Sequence, residues 1–425
     1  MPNSGATCGV LCPCGARTLS FVSALPSAFN RLAWSNLAAQ SAEQVALAAA
    51  PMIAVFALGA GAGETGLLQT AQTLPFLVLS VPAGVLADRM SRPRLMAGAE
   101  AMRALALAGV LALAPLGLLT LPRLALLGFV GACGTVAYSV AAPALVPALV
   151  PAAALAAANG RIELARTVAF ASGPALAGAL VGWTGGAPAF GFAAALSACA
   201  VVLLAGLREP PRPARVSHRV LHDLRDGAAF VFGHPLLRPV FITQLVFNTA
   251  FFMLQAVYVP YAVHRLGLSA FGVGATLATY GVGMVAGALL APPIIRALPF
   301  GVVVALGPVT GLAAAVVLVL TIWVPAGVLA GVSFFLIGVG PIVWVISTAT
   351  LRQTVTPRDL LGRASAINIT AYGARPIGAA LGALVGALYG AETCLVVAAV
   401  GFLVQAVLIL ASPVRRLARQ PEMVG

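Results

Sequence analysis

The stretch Gly84-Val-Leu-Ala-Asp-Arg-Met-Ser-Arg-Pro-Arg-Leu-Met96 is a short run of charges between two long apolar segments. Within it, Asp88 lies among three arginines, Arg89, Arg92 and Arg94. Each flanking segment has about 20 residues, which is the length a helix needs to cross the hydrocarbon core of a bilayer. The stretch therefore predicts a short loop between two membrane-spanning helices.

The composition indicates an integral membrane protein. Of 425 residues, 61% are hydrophobic and 8% are charged, whereas about a quarter of the residues of a soluble domain are charged. All 24 basic residues are arginine and the net charge is +13. No basic run is interleaved with aromatic residues on an amphipathic surface, so we expect no nucleic acid partner.

Apolar runs long enough to span a bilayer recur along the whole chain. They lie near residues 34–58, 66–86, 95–119, 122–146, 163–183, 187–207, 238–262, 271–295, 301–322, 326–348, 365–389 and 391–412. These twelve predicted spans divide the chain into parts. The parts are a tail at 1–30, a first six-helix bundle at 31–207, a linker with an amphipathic helix at 208–237, a second bundle at 238–412 and a tail at 413–425.

The arginines predict the orientation of these spans. With the N-terminus in the cytoplasm, most of the 24 arginines fall in cytoplasmic loops and tails, and only Arg123 and Arg265 fall outside. Such a bias is the signal that orients membrane proteins. It predicts that both termini are cytoplasmic. Residues 1–30 lack the apolar core and cleavage site of a signal peptide.

The cysteines do not predict a metal site. Cys8, Cys12 and Cys14 cluster near the N-terminus without a histidine or a second cysteine pair at zinc-ligand spacing. The other three cysteines lie in apolar runs, where cysteine behaves as a small hydrophobic residue. We therefore expect no metal and no cofactor.

The two halves of the chain share a pattern. Gly160-Arg161 precedes Pro174 and Gly178-Ala-Leu-Val-Gly182, and Gly362-Arg363 precedes Pro376 and Gly382-Ala-Leu-Val-Gly386 in the same order. The pattern predicts that the fifth and eleventh spans are equivalent elements of duplicated halves. Duplicated six-helix units are typical of one large class of secondary transporters.

Together with twelve spans and a central linker, the stretch from Gly84 to Arg92 resembles the signature of the major facilitator superfamily. That signature is Gly-x-Leu-Ala-Asp-Arg-x-Gly-Arg followed by a basic residue, and here Ser91 and Pro93 replace its last Gly and the next basic position. The resemblance implies an all-α membrane protein with two pseudo-symmetric six-helix bundles. It also implies a gating role for Asp88, whose contacts with arginines and helix ends can form in one conformation and break in another. The alternative is a basic loop that only orients the protein.

A second resemblance lies in the fifth span. Gly173-Pro174-Ala-Leu-Ala177-Gly178 resembles the Gly-Pro-x-x-Gly-Gly element of the superfamily's antiporters, with Ala177 in place of one Gly. Glycine permits close helix approach and proline permits a bend. The pattern is most similar to enterobactin-type siderophore exporters and macrolide efflux proteins, which implies export.

Polar residues recur on one face of the first and seventh spans. Such residues are costly inside a bilayer and indicate a functional site. The cavity candidates are Asn36, Gln40 and Gln44 on the first span, Gln244, Asn248, Phe251, Gln255 and Tyr258 on the seventh, Trp344 on the tenth, and Asn368 and Tyr372 on the eleventh. Because the two spans are pseudo-equivalent, their polar faces are expected to meet at a central substrate cavity.

Glu43 and Arg375 are predicted to lie at similar depth, near the middle of the bilayer. In one interpretation Glu43 carries the proton, because burial favours its neutral form while substrate or an approaching arginine favours its charged form. In the other, Glu43 and Arg375 form a fixed ion pair or have unrelated partners. Glu100 with Arg103, and similarly Glu163 with Arg166, read as i,i+3 pairs that neutralise a helix face.

These patterns predict a monomeric transporter that works by alternating access, in a bacterial inner membrane, with a small amphipathic molecule such as a drug or siderophore as substrate. Protons are the expected coupling ion, because the sequence has no Gly-x-x-x-x-Gly-Lys loop for ATP. A lipid transporter for lysophospholipids and a metabolite uptake carrier are the alternatives. An enzyme is disfavoured, because no paired carboxylates, Ser/His pair or His-rich cluster occurs at membrane depth.

Overall fold

The computed structural model describes residues 26–151, 154–207, 209, 220–357 and 360–421. Cys8, Cys12, Cys14 and most of the predicted linker lie outside the described residues. The side chain of Asp88 also lies outside the described part, although its backbone belongs to a helix.

The described part of the first half is helical. Its helices are α1 (Ser27–Phe56), α2 (Ala62–Val78), α3 (Ser80–Arg89), α4 (Arg92–Leu113), α5 (Leu121–Leu149), α6 (Leu155–Thr184) and α7 (Gly186–Ala205). The second predicted span is interrupted between α2 and α3, because Pro82 has no amide hydrogen to donate to the carbonyl of Val78. The short helix α8 (Val220–Gly233) follows within the predicted linker.

The second half repeats this organisation. Its helices are α9 (Leu237–His264), α10 (Ala270–Ala297), α11 (Phe300–Leu320), α12 (Gly327–Val355), α13 (Leu361–Thr370) and α14 (Ala374–Ala411), with a 3-10 turn at Ala371–Gly373. Gly390 has a φ of 83°, a left-handed conformation that favours glycine, and it divides α14 into two arms. α13 with the first arm is the eleventh span, and the second arm is the twelfth.

The all-helical fold with twelve spans is confirmed. Among the described residues, nine helices are long and apolar enough to cross a membrane, and the last of them contains both arms of α14. α1 and the broken pair α2–α3 complete the twelve. Large apolar side chains such as Leu105 and Val328 are mostly exposed on the surface of the molecule, as expected for helices that contact lipid.

The helix contacts follow the internal repeat. α6 packs against α1 of its own half and against α10 of the other half. In the same way, α14 packs against α9 of its own half and against α2 of the other half. The fifth and eleventh spans therefore occupy equivalent places, and each lies at the boundary between the halves.

Small residues bring the two halves close together on the side away from α8. A Cβ added to Gly178 of α6 would lie 2.6 Å from the carbonyl oxygen of Ala270 and 2.8 Å from the Cα of Gly274. A Cβ added to Gly66 of α2 would lie 2.5 Å from the Cα of Ala383 on α14. Any larger side chain at either glycine would push the halves apart.

Candidate functional site

Two cavities lie among the helices near the middle of the molecule. The first cavity has a volume of about 100 Å³ and is enclosed mainly by α1, α2, α4 and α5. The second cavity has a volume of about 270 Å³ and is enclosed mainly by α9, α10 and α12. Arg375 of α14 lines both, so its side chain lies at the boundary between the cavities.

Glu43 forms part of the wall of the first cavity. It lies just past the middle of the 30-residue helix α1, far from both helix ends. Its cationic partner is Arg103 of α4, with 3.8 Å between Glu43 Oε2 and Arg103 Nη2. A fixed ion pair between Glu43 and Arg375 is not seen among the described residues. Glu43 pairs with Arg103 instead, in agreement with the other alternative, that Glu43 and Arg375 have unrelated partners.

Arg103 connects two carboxylates in the interior of the first half. Its Nη1 lies 2.8 Å from Glu100 Oε1 and also donates to the carbonyl oxygen of Ala39 at 3.0 Å. Its Nη2 donates to Thr135 Oγ1 at 2.6 Å. The Glu100 side chain is completely buried, so this pair does not neutralise an exposed helix face as its spacing suggested. Glu43, Arg103 and Glu100 form what we call the buried charge cluster.

The second i,i+3 pair is different. Glu163 and Arg166 bond to each other on α6 as their spacing predicts, and both side chains are partly exposed. Arg166 also borders the second cavity, and its guanidinium lies 5.6 Å from the centre of the Phe170 ring. Its charge is therefore already balanced by a neighbouring carboxylate.

Aromatic rings surround Arg375. The guanidinium carbon lies 4.2 Å from the ring centre of Tyr372, 5.0 Å from that of Phe76 and 5.2 Å from that of Phe252. These distances are typical of cation–π contacts. Its Nε donates to Asn248 Oδ1 at 3.4 Å, a long hydrogen bond. Because Phe76 belongs to the first half, this arginine joins the two halves at the cavity boundary.

Several predicted cavity residues do line the second cavity. They are Gln244, Asn248, Trp344, Asn368 and Tyr372. Asn248 is held by a hydrogen bond from its Nδ2 to the carbonyl oxygen of Gln244, 2.9 Å away. The structure therefore brings polar residues from the seventh, tenth and eleventh predicted spans together around one space.

The prediction that Tyr258 and Phe251 face the cavity is wrong. Tyr258 is fully buried, its hydroxyl oxygen lies 2.5 Å from Thr276 Oγ1, and its ring packs against Phe334. Phe251 is also buried and stacks on the ring of Phe247. α9 is covered by neighbours on several sides, so the spacing of its residues could not show which of them reach the cavity.

Most of the polar stripe of α1 does not reach the two cavities in this structure. Apart from Glu43, its members Asn36, Gln40 and Gln44 line neither cavity, and neither does Gln255 of α9. Asn36 Nδ2 donates to the carbonyl oxygen of Ile162 on α6 at 3.4 Å. Gln44 is buried at the place where α1 crosses α6.

The predicted gating loop is tied to its own half of the molecule. Arg92 Nη1 lies 3.2 Å from Glu209 Oε1 and donates to the carbonyl oxygen of Ala144 at 2.8 Å. Its backbone nitrogen donates to Glu209 Oε2 at 3.0 Å. Arg89 and Arg94 are exposed, and Gly84 has open space around it. The gating role of Asp88 stays a prediction.

The antiporter-like element lies where three helices meet. A Cβ added to Gly173 would lie 2.4 Å from Gln44 Cβ on α1. The carbonyl oxygen of Pro174 would lie 2.5 Å from a Cβ added to Gly274 of α10, the residue that also meets Gly178. The element thus forms a close contact within the first half and another between the halves.

Some residues of the site were not predicted from the sequence. Phe76 and Phe252 stack on Arg375, and Arg352 lines the second cavity. Phenylalanine in an apolar run carries no distinguishing signal, and Arg352 read as one more loop arginine. For Glu100 and Arg103 the signal was present, because charges inside a membrane span indicate function whatever their spacing.

Comparison with known proteins agrees with this architecture, in which two helical bundles enclose central cavities as in membrane transporters. The sequence model of the Major Facilitator Superfamily matches residues 32–376. The chain belongs to this superfamily and is a multi-pass membrane transport protein. A search of curated protein sequences finds no match.

Solved structures of the same fold include transporters of several kinds. A D-xylose-proton symporter is similar over 92% of this chain and 99% of its own, with a TM-score of 0.72 and 13% identity. The nucleoside transporter NupG is similar over 91% and 99%, with a TM-score of 0.71 and 15% identity. An inward-facing bacterial homologue of the iron transporter ferroportin is similar over 90% and 98%, with a TM-score of 0.71 and 15% identity. At these identities the likeness shows the fold alone.

Proposed function

We propose that this protein is a proton-coupled secondary transporter that moves a small amphipathic organic compound by alternating access. The observation that carries the proposal is the position of Glu43 on the wall of a central cavity, paired with Arg103 and facing a space that Arg375 also lines. A carboxylate that reaches a cavity at membrane depth is suited to bind and release a proton during transport.

The buried charge cluster supports proton binding by its composition. It contains two carboxylates, Glu43 and Glu100, and one guanidinium, Arg103. With both acids ionised the cluster would hold one net negative charge inside the membrane, and such a charge is costly. One bound proton removes it. Glu43 is the acid that a proton can reach, because it borders the cavity whereas Glu100 is enclosed.

The contact between the halves supports alternating access. Close contacts such as Gly178 with Gly274 lie on the side away from α8. The arginine distribution assigns the side of α8 to the cytoplasm, with both termini there. In this conformation the outer side is closed, and transport requires these glycine contacts to separate while the cytoplasmic ends of the halves approach.

The finer features of the transporter are part of the proposal. Export in exchange for protons follows from the resemblance of Gly173–Pro174–Gly178 to the antiporter element, and a drug or siderophore follows from the same resemblance. Location in a bacterial inner membrane and the monomeric state stay predictions. Lipid transport and metabolite uptake stay the alternative functions.

The test is substrate-dependent proton flux in proteoliposomes that contain a pH-sensitive dye. A compound library first identifies substrates of the wild-type protein. Glu43→Gln is then compared with Glu392→Gln, which removes a carboxylate from an exposed pair with Arg265 that borders neither cavity. We expect Glu43→Gln to abolish proton-driven accumulation while leaving downhill substrate exchange, and Glu392→Gln to behave like the wild type. Unchanged proton-driven accumulation in Glu43→Gln would show that another group carries the proton.

A further inference from the structure

The second cavity is strongly cationic. Three arginines line it, Arg166, Arg352 and Arg375, and no acidic side chain among the described residues does. Glu163 balances the charge of Arg166. Two positive charges, on Arg352 and Arg375, therefore remain without a carboxylate partner in the described part of the protein.

Arg352 has an unused donor beside this cavity. Its Nε is buried and has no hydrogen-bond partner in the described structure. A buried donor without a partner is costly, and more so when the group is charged. Arg352 lies in the last turn of α12, on the same side of the membrane as α8, so its guanidinium is placed at the end of the cavity nearest that side.

Arg375 lies deeper, at the boundary of both cavities. Rings of Tyr372, Phe76 and Phe252 stack around its guanidinium but do not neutralise its charge. Stacking leaves the edge of a guanidinium free, and this edge binds a carboxylate or phosphate with paired hydrogen bonds. Asn248 uses only Nε, through a long bond of 3.4 Å.

We infer that the transported compound is an organic anion, whose carboxylate, sulfonate or phosphate group is bound by Arg352 and Arg375 in the second cavity. This inference rests on the proposed function, since it names the substrate class of that same site. The apolar part of the anion packs against Trp344 and Phe247, which also line the cavity. A bound monoanion offsets one of these two positive charges, which are otherwise costly inside the membrane.

A role of Arg352 as an orientation signal alone would explain its side of the membrane but not its position in the cavity wall. Arg296 provides the contrast. It lies in the last turn of α10 on the same side, it is exposed, and it does not line the cavity. Substitution of Arg296 removes the same charge from the same side and is therefore the matched control.

The experiment measures binding to the purified full-length protein in detergent by calorimetry. The probes are 2-naphthalenesulfonate, the neutral 2-naphthalenesulfonamide and the cationic 2-naphthylmethylammonium, which share one ring system and differ in charge. We expect the sulfonate to bind at least about tenfold more tightly than the other two. Charged hydrogen bonds of this kind correspond to factors of about 10 to 100 in affinity.

Variants assign the effect to the two arginines. We expect Arg352→Gln and Arg375→Gln each to weaken sulfonate binding by about tenfold or more, and to leave sulfonamide binding unchanged. Arg296→Gln should bind like the wild type, and Arg375→Lys should restore part of the affinity. If Arg375→Gln does not fold, the probe series on the wild type and on Arg352→Gln still tests whether the cavity binds an anion through Arg352.

Three results would overturn the inference: equal or no binding of the three probes, a preference for the ammonium probe, or wild-type sulfonate binding in the two glutamine variants. These results differ from a failure of the proposed function. If proton coupling depends on Glu43 while neutral or cationic compounds bind best, only the substrate class is wrong. If the sulfonate binds as expected but Glu43→Gln keeps full coupling, only the coupling role is wrong.

Discussion

At the scale of single residues, Arg103 holds the buried charge cluster together. It contacts Glu100 at 2.8 Å and Glu43 at 3.8 Å, and it donates to the hydroxyl of Thr135 on α5. Removing one partner of a buried ion pair leaves an uncompensated charge, which is far more costly than removing the whole pair. We therefore expect the cluster to have a structural role as well as its proposed role in proton binding.

We predict that Arg103→Gln lowers the melting temperature of the purified protein, because it leaves Glu100 buried without its cation at a cost of about 3–5 kcal/mol. The double variant Arg103→Gln with Glu100→Gln should recover most of this loss. Thermal unfolding in detergent measures both. Additive losses in the double variant would mean that the two side chains do not interact energetically.

The sequence predicted some residues of this site and missed others. Glu43 was predicted because an acid within an apolar run indicates function on its own. Glu100 and Arg103 are three residues apart on one helix and were predicted to neutralise each other's charge. Their spacing gave no indication that α1 and α5 enclose them. Tyr258 was assigned to the cavity by spacing, although its hydroxyl bonds to Thr276 in the core. The spacing of residues along one helix shows which face is polar, but it does not show which neighbouring helix covers that face.

At the scale of secondary-structure elements, the contact between α6 and α10 closes one side of the molecule. We predict that Gly178→Val abolishes transport while preserving ligand binding, because a side chain there would meet the backbone of Ala270 and Gly274. Gly160→Val is the matched control, since Gly160 lies on the same helix with open space around it. Transport and outer-side labelling of an introduced cysteine measure the effect.

In Gly178→Val we expect increased labelling from the outer side, because the halves cannot close there. Wild-type labelling together with wild-type transport would show that this contact is not part of the closed gate.

The arginines of the loop between α3 and α4 differ in their contacts. Arg92 is bonded to Glu209 and to the carbonyl of Ala144, whereas Arg94 is exposed. We predict that Arg92→Gln slows transport and lowers thermal stability, while Arg94→Gln changes either by little, since exposed charges contribute roughly 0–1 kcal/mol. Equal effects of the two substitutions would mean that the loop acts only through its total charge.

The elements themselves were largely predictable. The predicted spans agree with the helices to within a few residues at most ends, because hydrophobic length is the main determinant of a membrane helix. The interruption at Leu79 and the 3-10 turn at Ala371–Gly373 were not predicted. Both lie inside continuous apolar runs, where a hydropathy pattern does not register a change in backbone geometry.

At the scale of the whole molecule, the charges of the two cavities predict a link between the proposed proton binding and the proposed anion binding. Glu43 and Arg375 border the same first cavity, so a proton on Glu43 removes a negative charge near the proposed anion site. For two unit charges about 10 Å apart at an effective dielectric constant of about 20, the interaction is roughly 1.7 kcal/mol, or about ten- to twentyfold in affinity. The anion should therefore bind more tightly when Glu43 is protonated.

The sign of this linkage also bears on the direction of transport. Joint binding of a proton and an anion favours their movement together, whereas exchange requires each to exclude the other. The charge distribution thus favours cotransport, which conflicts with the exchange that the Gly173–Pro174 element predicts. If affinity rises on acidification, export in exchange for protons is the part of the proposed function that is wrong. A single measurement of affinity against pH separates the two, because affinity falls on acidification if the proton and substrate compete.

Proton-linked anion binding is tested by the affinity of 2-naphthalenesulfonate for the wild-type protein and for Glu43→Gln between pH 5 and pH 8. The sulfonate stays ionised over this range, so any change in affinity comes from the protein. We predict that wild-type affinity rises by about tenfold as the pH falls, and that Glu43→Gln binds with high affinity at every pH. The same pH dependence in both proteins would contradict the claim that Glu43 holds the proton that is linked to the ligand.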